Sequence, residues 1–441
     1  MTRFLLLAIL FSNTLFAQHA IKGVFSPPED YKFALLYKVT PTVSVYVKNA
    51  EIKKDGSFKF QLDSTNVKGI YRLVYAVPQE DYNFDIIYNG KEDVELTFNS
   101  ETGVNFKKSV ENRLLRSYTD SMSKVMQSIG VYFRQKNKDT LALKAIFKAQ
   151  SDTQTSYEKA AKGTIALHFI KANRPYIPKN YEDVSLYSKN LRAHYFNNID
   201  FKNQTLLSSN FLTEKMLNYV FGVSADDKSK VANYKKNIDV FYKAIKPAPD
   251  TTKSNLLSEL WQQMADLNYE AVANYIAETY LIALAKALND KPLLDALIKY
   301  QKTSIGSSAP DFSIEFKQGD KKTSKKLSEL KLAETYVIVF WNSECSHCLN
   351  DMPKLQAFVK TQEKSKIKVI AIALEADDKQ WELKTKPYPE FIHVLSLEKS
   401  DNNIGTDYGI MATPSFFVLN KDKKIIEKPE SVTELEVFLK G

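Results

Sequence analysis

The chain's two cysteines, Cys345 and Cys348, flank the dipeptide Ser346-His347. On the first turn of a helix, cysteines at i and i+3 can close a small disulfide ring. The first is then left at the helix N-terminus, where unpaired N–H groups and the helix dipole favour a thiolate. The thiolate is the attacking species in disulfide exchange. A cationic His347 lowers the thiol pKa further, whereas Glu344, directly before Cys345, pushes it up because one negative charge disfavours a second. Zinc needs two more ligands, and His393 is the only distant candidate in this part of the chain, so no metal is assigned. An inert structural disulfide is the main alternative, since neighbouring thiols oxidise readily outside the cytosol.

The elements that must position this pair are legible around it. Residues 336–340 form a continuous apolar strand directly before the motif, and residues 352–360 carry a helical pattern after it. Further strands are expected at 367–373, 393–395, 415–419 and 424–426. Strands alternating with helices of this length indicate an α/β sandwich. It begins after the small, polar stretch 304–308, so the C-terminal domain is set at 304–441.

Upstream the texture is different. Residues 18–103 alternate as short strands at 33–37, 43–47, 57–62, 71–77, 84–88 and 94–98, which reads as a small β-sandwich. Asp55-Gly56 and Asn89-Gly90 suit hairpin turns, because both supply positive-φ positions cheaply. Over 104–303 the period becomes helical: Leu115, Tyr118, Met122, Val125 and Ile129 recur at three- and four-residue steps. The same spacing returns in Leu257, Leu260, Trp261, Met264 and Leu267, and in Val272, Tyr275, Ile276 and Thr279. Pro175, Pro178, Pro247 and Pro249 mark breaks between helices. His168 and His194 lack partners at metal spacing and read as packed or surface residues. No catalytic cluster is visible in 18–303.

The first residues point to export. Arg3, the apolar run 4–11 and the sequence Leu15-Phe16-Ala17 follow the order of a secretory signal peptide, too short to span a bilayer. Cleavage is placed after Ala17, with Ala20 as the alternative, giving a signal peptide at 1–17. No cysteine follows the run, so a lipoprotein is excluded, and no later stretch is long enough for a membrane span. The net charge of +9 arises from 61 basic and 52 acidic residues spread along the chain, unlike the clustered footprint of a nucleic-acid binder.

Residues 304–441 resemble the thioredoxin fold, and within it the TlpA/ResA-like thiol–disulfide oxidoreductases of the bacterial envelope. The resemblance is carried by Ala309-Pro310-Asp311-Phe312, by Val337-Ile338-Val339-Phe340-Trp341 leading into the Cys-x-x-Cys, by Pro353 in the following helix, and by 411–418 (Met-Ala-Thr-Pro-Ser-Phe-Phe-Val). It implies that Cys345 is the nucleophile, Cys348 the resolving thiol and Pro414 a cis-proline beside them. It further implies that Thr413, Pro414 and Trp341 contact substrate, with Thr413 pairing an extended segment through backbone hydrogen bonds. There are departures. Glu344 replaces the family's usual Trp, Val339 stands where thioredoxin buries an acidic residue, and Ser-His resembles the dipeptide of DsbA-type oxidants. The order of a β domain, a helical region and a TlpA-like domain also resembles an envelope architecture of Gram-negative bacteria.

The expectation is therefore a periplasmic enzyme that reduces disulfides in envelope proteins without a cofactor, re-reduced by a membrane electron donor. The alternatives are a disulfide-introducing oxidase, supported by His347, and a redox-inactive docking module, supported by Glu344. A thiol peroxidase wants a threonine where Asn342 stands.

Overall fold

A computed structural model describes residues 19–40, 44–63, 65–79, 81–222, 229–318, 321–363, 365–375, 381–397 and 404–440. The signal-peptide expectation, its Ala17 cleavage point and the strand start at Val43 lie outside the described residues. The chain divides into two compact units, Met1–Glu259 and Leu260–Gly441. Among the described residues, no helix is long and apolar enough to cross a membrane.

The first unit opens with eight strands: β1 (Ala20–Phe25), β2 (Ala34–Val39), β3 (Ser44–Ala50), β4 (Ser57–Gln61), β5 (Gly69–Val74), β6 (Asn83–Tyr88), β7 (Val94–Asn99) and β8 (Gly103–Lys108). They form two four-stranded sheets, ordered β4-β1-β7-β8 and β3-β2-β5-β6. Ile21, Phe60 and Leu96 of one sheet and Leu36, Leu73 and Ile86 of the other share one buried core. This is the expected β-sandwich, with alternate side chains turned inward.

Two sequence expectations change. Gly56 and Gly90 do take positive φ (76° and 70°), but neither turn closes a hairpin. β3 and β4 belong to different sheets, as do β6 and β7, so both turns carry the chain between the layers. The sandwich also runs past residue 103, because β8 pairs antiparallel with β7.

Helices follow: α1 (Val110–Arg134), α2 (Thr140–Ala160), α3 (Ala166–Ala172), α4 (Val184–Ala193), α5 (Gln204–Leu207), α6 (Phe211–Phe221), α7 (Lys230–Ala244), α8 (Asp250–Asp266), α9 (Glu270–Ile276), α10 (Ile282–Ala287) and α11 (Lys291–Lys302). The expected stripe on α1 holds, with Tyr118, Met122 and Ile129 buried, and the four prolines lie between helices. Thr279 and Leu267 are exposed instead of packed. The buried Asn112 of α1 accepts from Ile87 N–H (2.8 Å) and donates to Ile87 C=O (2.7 Å). One amide thus covers part of the open edge of β6. His194 stacks on Tyr176, and His168 meets Asn203.

In the second unit the helical residues from Leu260 onward join the α/β segment. Its elements are β9 (Ser313–Gln318), β10 (Lys321–Lys326), β11 (Thr335–Trp341), α12 (Ser346–Lys360), β12 (Ile367–Glu375), α13 (Trp381–Thr385), β13 (Ile392–Leu397), α14 (Ile404–Asp407), β14 (Ser415–Asn420), β15 (Ile425–Glu427) and α15 (Val432–Lys440). The main sheet is ordered β13-β12-β11-β14-β15, with β11 parallel to β12 and antiparallel to β14. Successive β11 side chains enter opposite cores: Tyr336, Ile338 and Phe340 on one face, Val337, Val339 and Trp341 on the other. A sheet covered on both faces needs such an unbroken apolar strand. This is the thioredoxin-like fold the sequence led us to expect.

Candidate active site

β11 ends at Trp341, and the chain turns through Asn342-Ser343-Glu344 to deliver Cys345 as the N-cap of α12. Caps are usually Ser, Thr, Asp or Asn, whose oxygen accepts a free N–H of the first turn. Here the Cys345 sulfur does so, accepting from Cys348 N–H at 3.3 Å. Cys348, one turn on, is fully buried against Trp341 and Met352, while Cys345 is partly exposed. Both thiols are free. Pro353 lies inside α12, where its missing N–H removes one helical hydrogen bond.

The two sulfurs titrate in opposite directions. Burial works against a Cys345 thiolate. The hydrogen bonds from the Cys348 thiol and N–H, with smaller contributions at Thr413 and from the backbone N–H of His347, outweigh it and hold Cys345 below the ordinary thiol value. Burial, then the neighbouring Cys345, pushes Cys348 up to about 11. Glu344 and His347 were expected to set this balance through their charges. Both stand exposed, where solvent screens them, and His347 contributes through its backbone.

Across from the pair, the Thr413–Pro414 peptide bond is cis. The Cys345 thiol donates to the Thr413 carbonyl oxygen at 3.4 Å. Cys345, Cys348, Thr413 and Pro414 are therefore brought together. Trp341 is not among them: it is 0% exposed and packs in the core beneath α12, out of reach of a substrate. A strand residue whose neighbours alternate between two cores has no path to the surface.

The sequence reading missed the support of the loop. Glu375, at the end of β12 and 5% exposed, accepts from Ser343 N–H (2.7 Å) and Ser343 Oγ–H (3.0 Å). Asn342 donates to the Leu374 carbonyl (2.5 Å) and accepts from Glu344 N–H (2.8 Å) through its side chain, and its carbonyl accepts from Cys345 N–H (3.2 Å). Val339 is fully buried, and a buried carboxylate, Glu375, sits on the neighbouring strand β12. The available signal was the one acidic residue of β12, closing a strand that is apolar apart from Lys368 and lies beside the strand leading to the cysteines. His393 donates its Nε2–H to the Tyr388 carbonyl (2.8 Å), and among the described residues no three His, Cys, Asp or Glu side chains gather as a metal site.

A partly exposed thiol at a helix N-terminus, a buried partner one turn on and a cis-proline opposite are the parts of a dithiol exchange centre. Residues 305–428 match the AhpC/TSA family. The thiol–disulfide oxidoreductase ResA of Bacillus cereus is 30% identical over 145 residues, covering 32% of this chain and 79% of that protein. The thioredoxin-like protein YneN of Bacillus subtilis is 26% identical over 135 residues, covering 29% of this chain and 74% of its own. The solved thioredoxin domain of a thiol–disulfide oxidoreductase from Bacteroides vulgatus covers 31% of this chain and 96% of its own, at 21% identity and a TM-score of 0.27. The chain belongs, through its C-terminal domain, to the ResA-like thiol–disulfide oxidoreductases.

Proposed function

We propose that the protein acts in the periplasm as a reductase of disulfides in envelope proteins, with Cys345-Ser346-His347-Cys348 as its redox centre. The observation that carries this reading is the geometry of the pair: a partly exposed Cys345 capping α12, Cys348 buried one turn on, and the cis Thr413–Pro414 bond opposite. The Cys345 thiolate attacks one sulfur of the substrate disulfide, forms the mixed disulfide and expels the other sulfur as a thiolate, which takes up a proton. Cys348 then loses its proton and attacks Cys345, releasing the second substrate thiolate. Two electrons have passed to the substrate, and the enzyme is left with a Cys345–Cys348 disulfide. A dithiol donor at the membrane restores the pair. The apolar run 4–11 supports export, and the TlpA-like motif set supports the reducing direction.

One observation favours the opposite direction. A lowered Cys345 pKa stabilises the reduced pair and so makes its disulfide more oxidising. The reduction potential of the purified mature protein, measured by equilibration with glutathione, separates the two. A value near about −270 mV supports the reductase, and one near about −120 mV overturns it in favour of a disulfide-introducing oxidase.

A further inference from the structure

A groove of about 640 Å³ runs alongside the cis-proline loop. One wall is the loop itself, Met411, Ala412 and Pro414; the facing wall is helical, with Trp261 from the end of α8 and Lys299 and Tyr300 from α11. The helical wall is fixed in place. Trp261 and Tyr300 meet edge to face at 5.3 Å, and Lys428, which follows β15, forms an ion pair with Glu270. Ile305 N–H donates to Glu270 (2.7 Å), and Gly306 N–H donates to the Ile425 carbonyl (2.7 Å).

We propose that this groove binds the segment of the protein substrate flanking its disulfide, and that residues of the helical region thereby select the substrate. The inference rests on the exchange chemistry proposed above. The occupant follows from position. A substrate cysteine bonded to Cys345 Sγ lies beside Thr413, whose carbonyl oxygen is 3.4 Å from that sulfur. An extended chain advances about 3.3 Å per residue, so positions two and three residues away pass over Ala412 and Met411 into the groove. There they meet an apolar surface, Met411 being 96% exposed on one side with Trp261 opposite. They also meet Lys299, whose stem packs toward Gly409, within 3.3 Å of where a side chain there would start. Among the described residues, no carboxylate pairs with Lys299. Glu430, the groove's acid, accepts from Asn268, and Lys428 is paired with Glu270. The segment that fits carries a large apolar residue and an acidic residue within three positions of the reacting cysteine.

The test uses the full mature chain and two disulfide-bearing peptides that differ only at the third position from the cysteine, Asp in one and Lys in the other. Hydroxyethyl disulfide serves as a substrate too small to reach the groove. The expected result is a kcat/KM about fivefold higher for the Asp peptide, expressed in KM and fading in 0.5 M salt. Lys299→Glu reverses that preference and Lys299→Gln abolishes it, while Lys124→Glu, on an exposed face of α1, keeps it. If wild type reduces hydroxyethyl disulfide but treats the two peptides alike, or if Lys299→Glu leaves their ratio unchanged, the groove assignment is overturned and the redox reading stands. If hydroxyethyl disulfide itself is not reduced, both fall.

Discussion

The Cys345 sulfur lies 3.4 Å from the Thr413 carbonyl oxygen, across 68 residues of sequence, and donates its proton there. The same sulfur accepts the Cys348 N–H. Its reactivity is thus set from two sides, by the start of α12 and by the loop before β14.

The two thiols are expected to alkylate at well-separated pH. Alkylating ability follows the thiolate fraction, which rises with pH through each group's pKa. For the reduced protein, the iodoacetamide rate at Cys345 reaches half its maximum below 9.0, the unperturbed thiol value from which it is lowered. Cys348, pushed up to about 11 and buried, stays unmodified at neutral pH. A Cys345 midpoint at or above 9.0, read by mass spectrometry of the labelled peptide, refutes the assignment.

Cys345→Ser is expected to abolish exchange. Cys348→Ser keeps the attacking thiol but cannot resolve the intermediate, so it accumulates mixed disulfides with its protein substrates, visible on non-reducing gels. An empty trap counts against the proposed mechanism.

Removing Glu375 is expected to loosen the turn that delivers Cys345. Glu375→Ala strands the Ser343 N–H and hydroxyl in a buried place, at a cost of about 1–3 kcal/mol. Glu375→Gln retains an acceptor for the N–H and loses less. Urea unfolding of the two variants measures the order, and equal losses show that the carboxylate is not a support.

Trp341→Phe is expected to lower stability by about 1–3 kcal/mol through the unfilled space beneath α12. Its KM for peptide substrates should stay at the wild-type value. A raised KM with unchanged unfolding returns Trp341 to the substrate site.

Asn112→Ala in the first unit leaves both backbone groups of Ile87 without their partner, and is expected to cost at least about 2 kcal/mol. Faster amide exchange at Ile87 locates the loss on the edge of β6.

The site was legible where chemistry demands local order. An apolar strand, a Cys-x-x-Cys and a helix must follow one another for a thiol to cap a helix, and all three are contiguous in sequence. Thr413-Pro414 was legible only by family resemblance, since nothing local says that it will face Cys345. Glu375 and Asn342 escaped because the contacts that tie the loop to β12, Ser343 with Glu375 and Asn342 with the Leu374 carbonyl, join residues 32 apart in sequence. Trp341 was misplaced because a motif position carries no record of which way the side chain turns. In the first unit, β8 was missed for its two apolar residues among lysines, while β1 follows a stretch read as leader. The turns at Gly56 and Gly90 show the limit of turn chemistry: it fixes a positive φ, not which sheet receives the next strand.

A cysteine sulfur used as a helix cap ties catalysis to local order. While the pair is reduced, the sulfur of Cys345 supplies the acceptor that an oxygen supplies in most helices. In a disulfide that sulfur can no longer ionise to the thiolate, its strong acceptor form, so on oxidation the first turn of α12 is expected to lose part of its tether. The backbone of α12 thereby records the electron count of the protein.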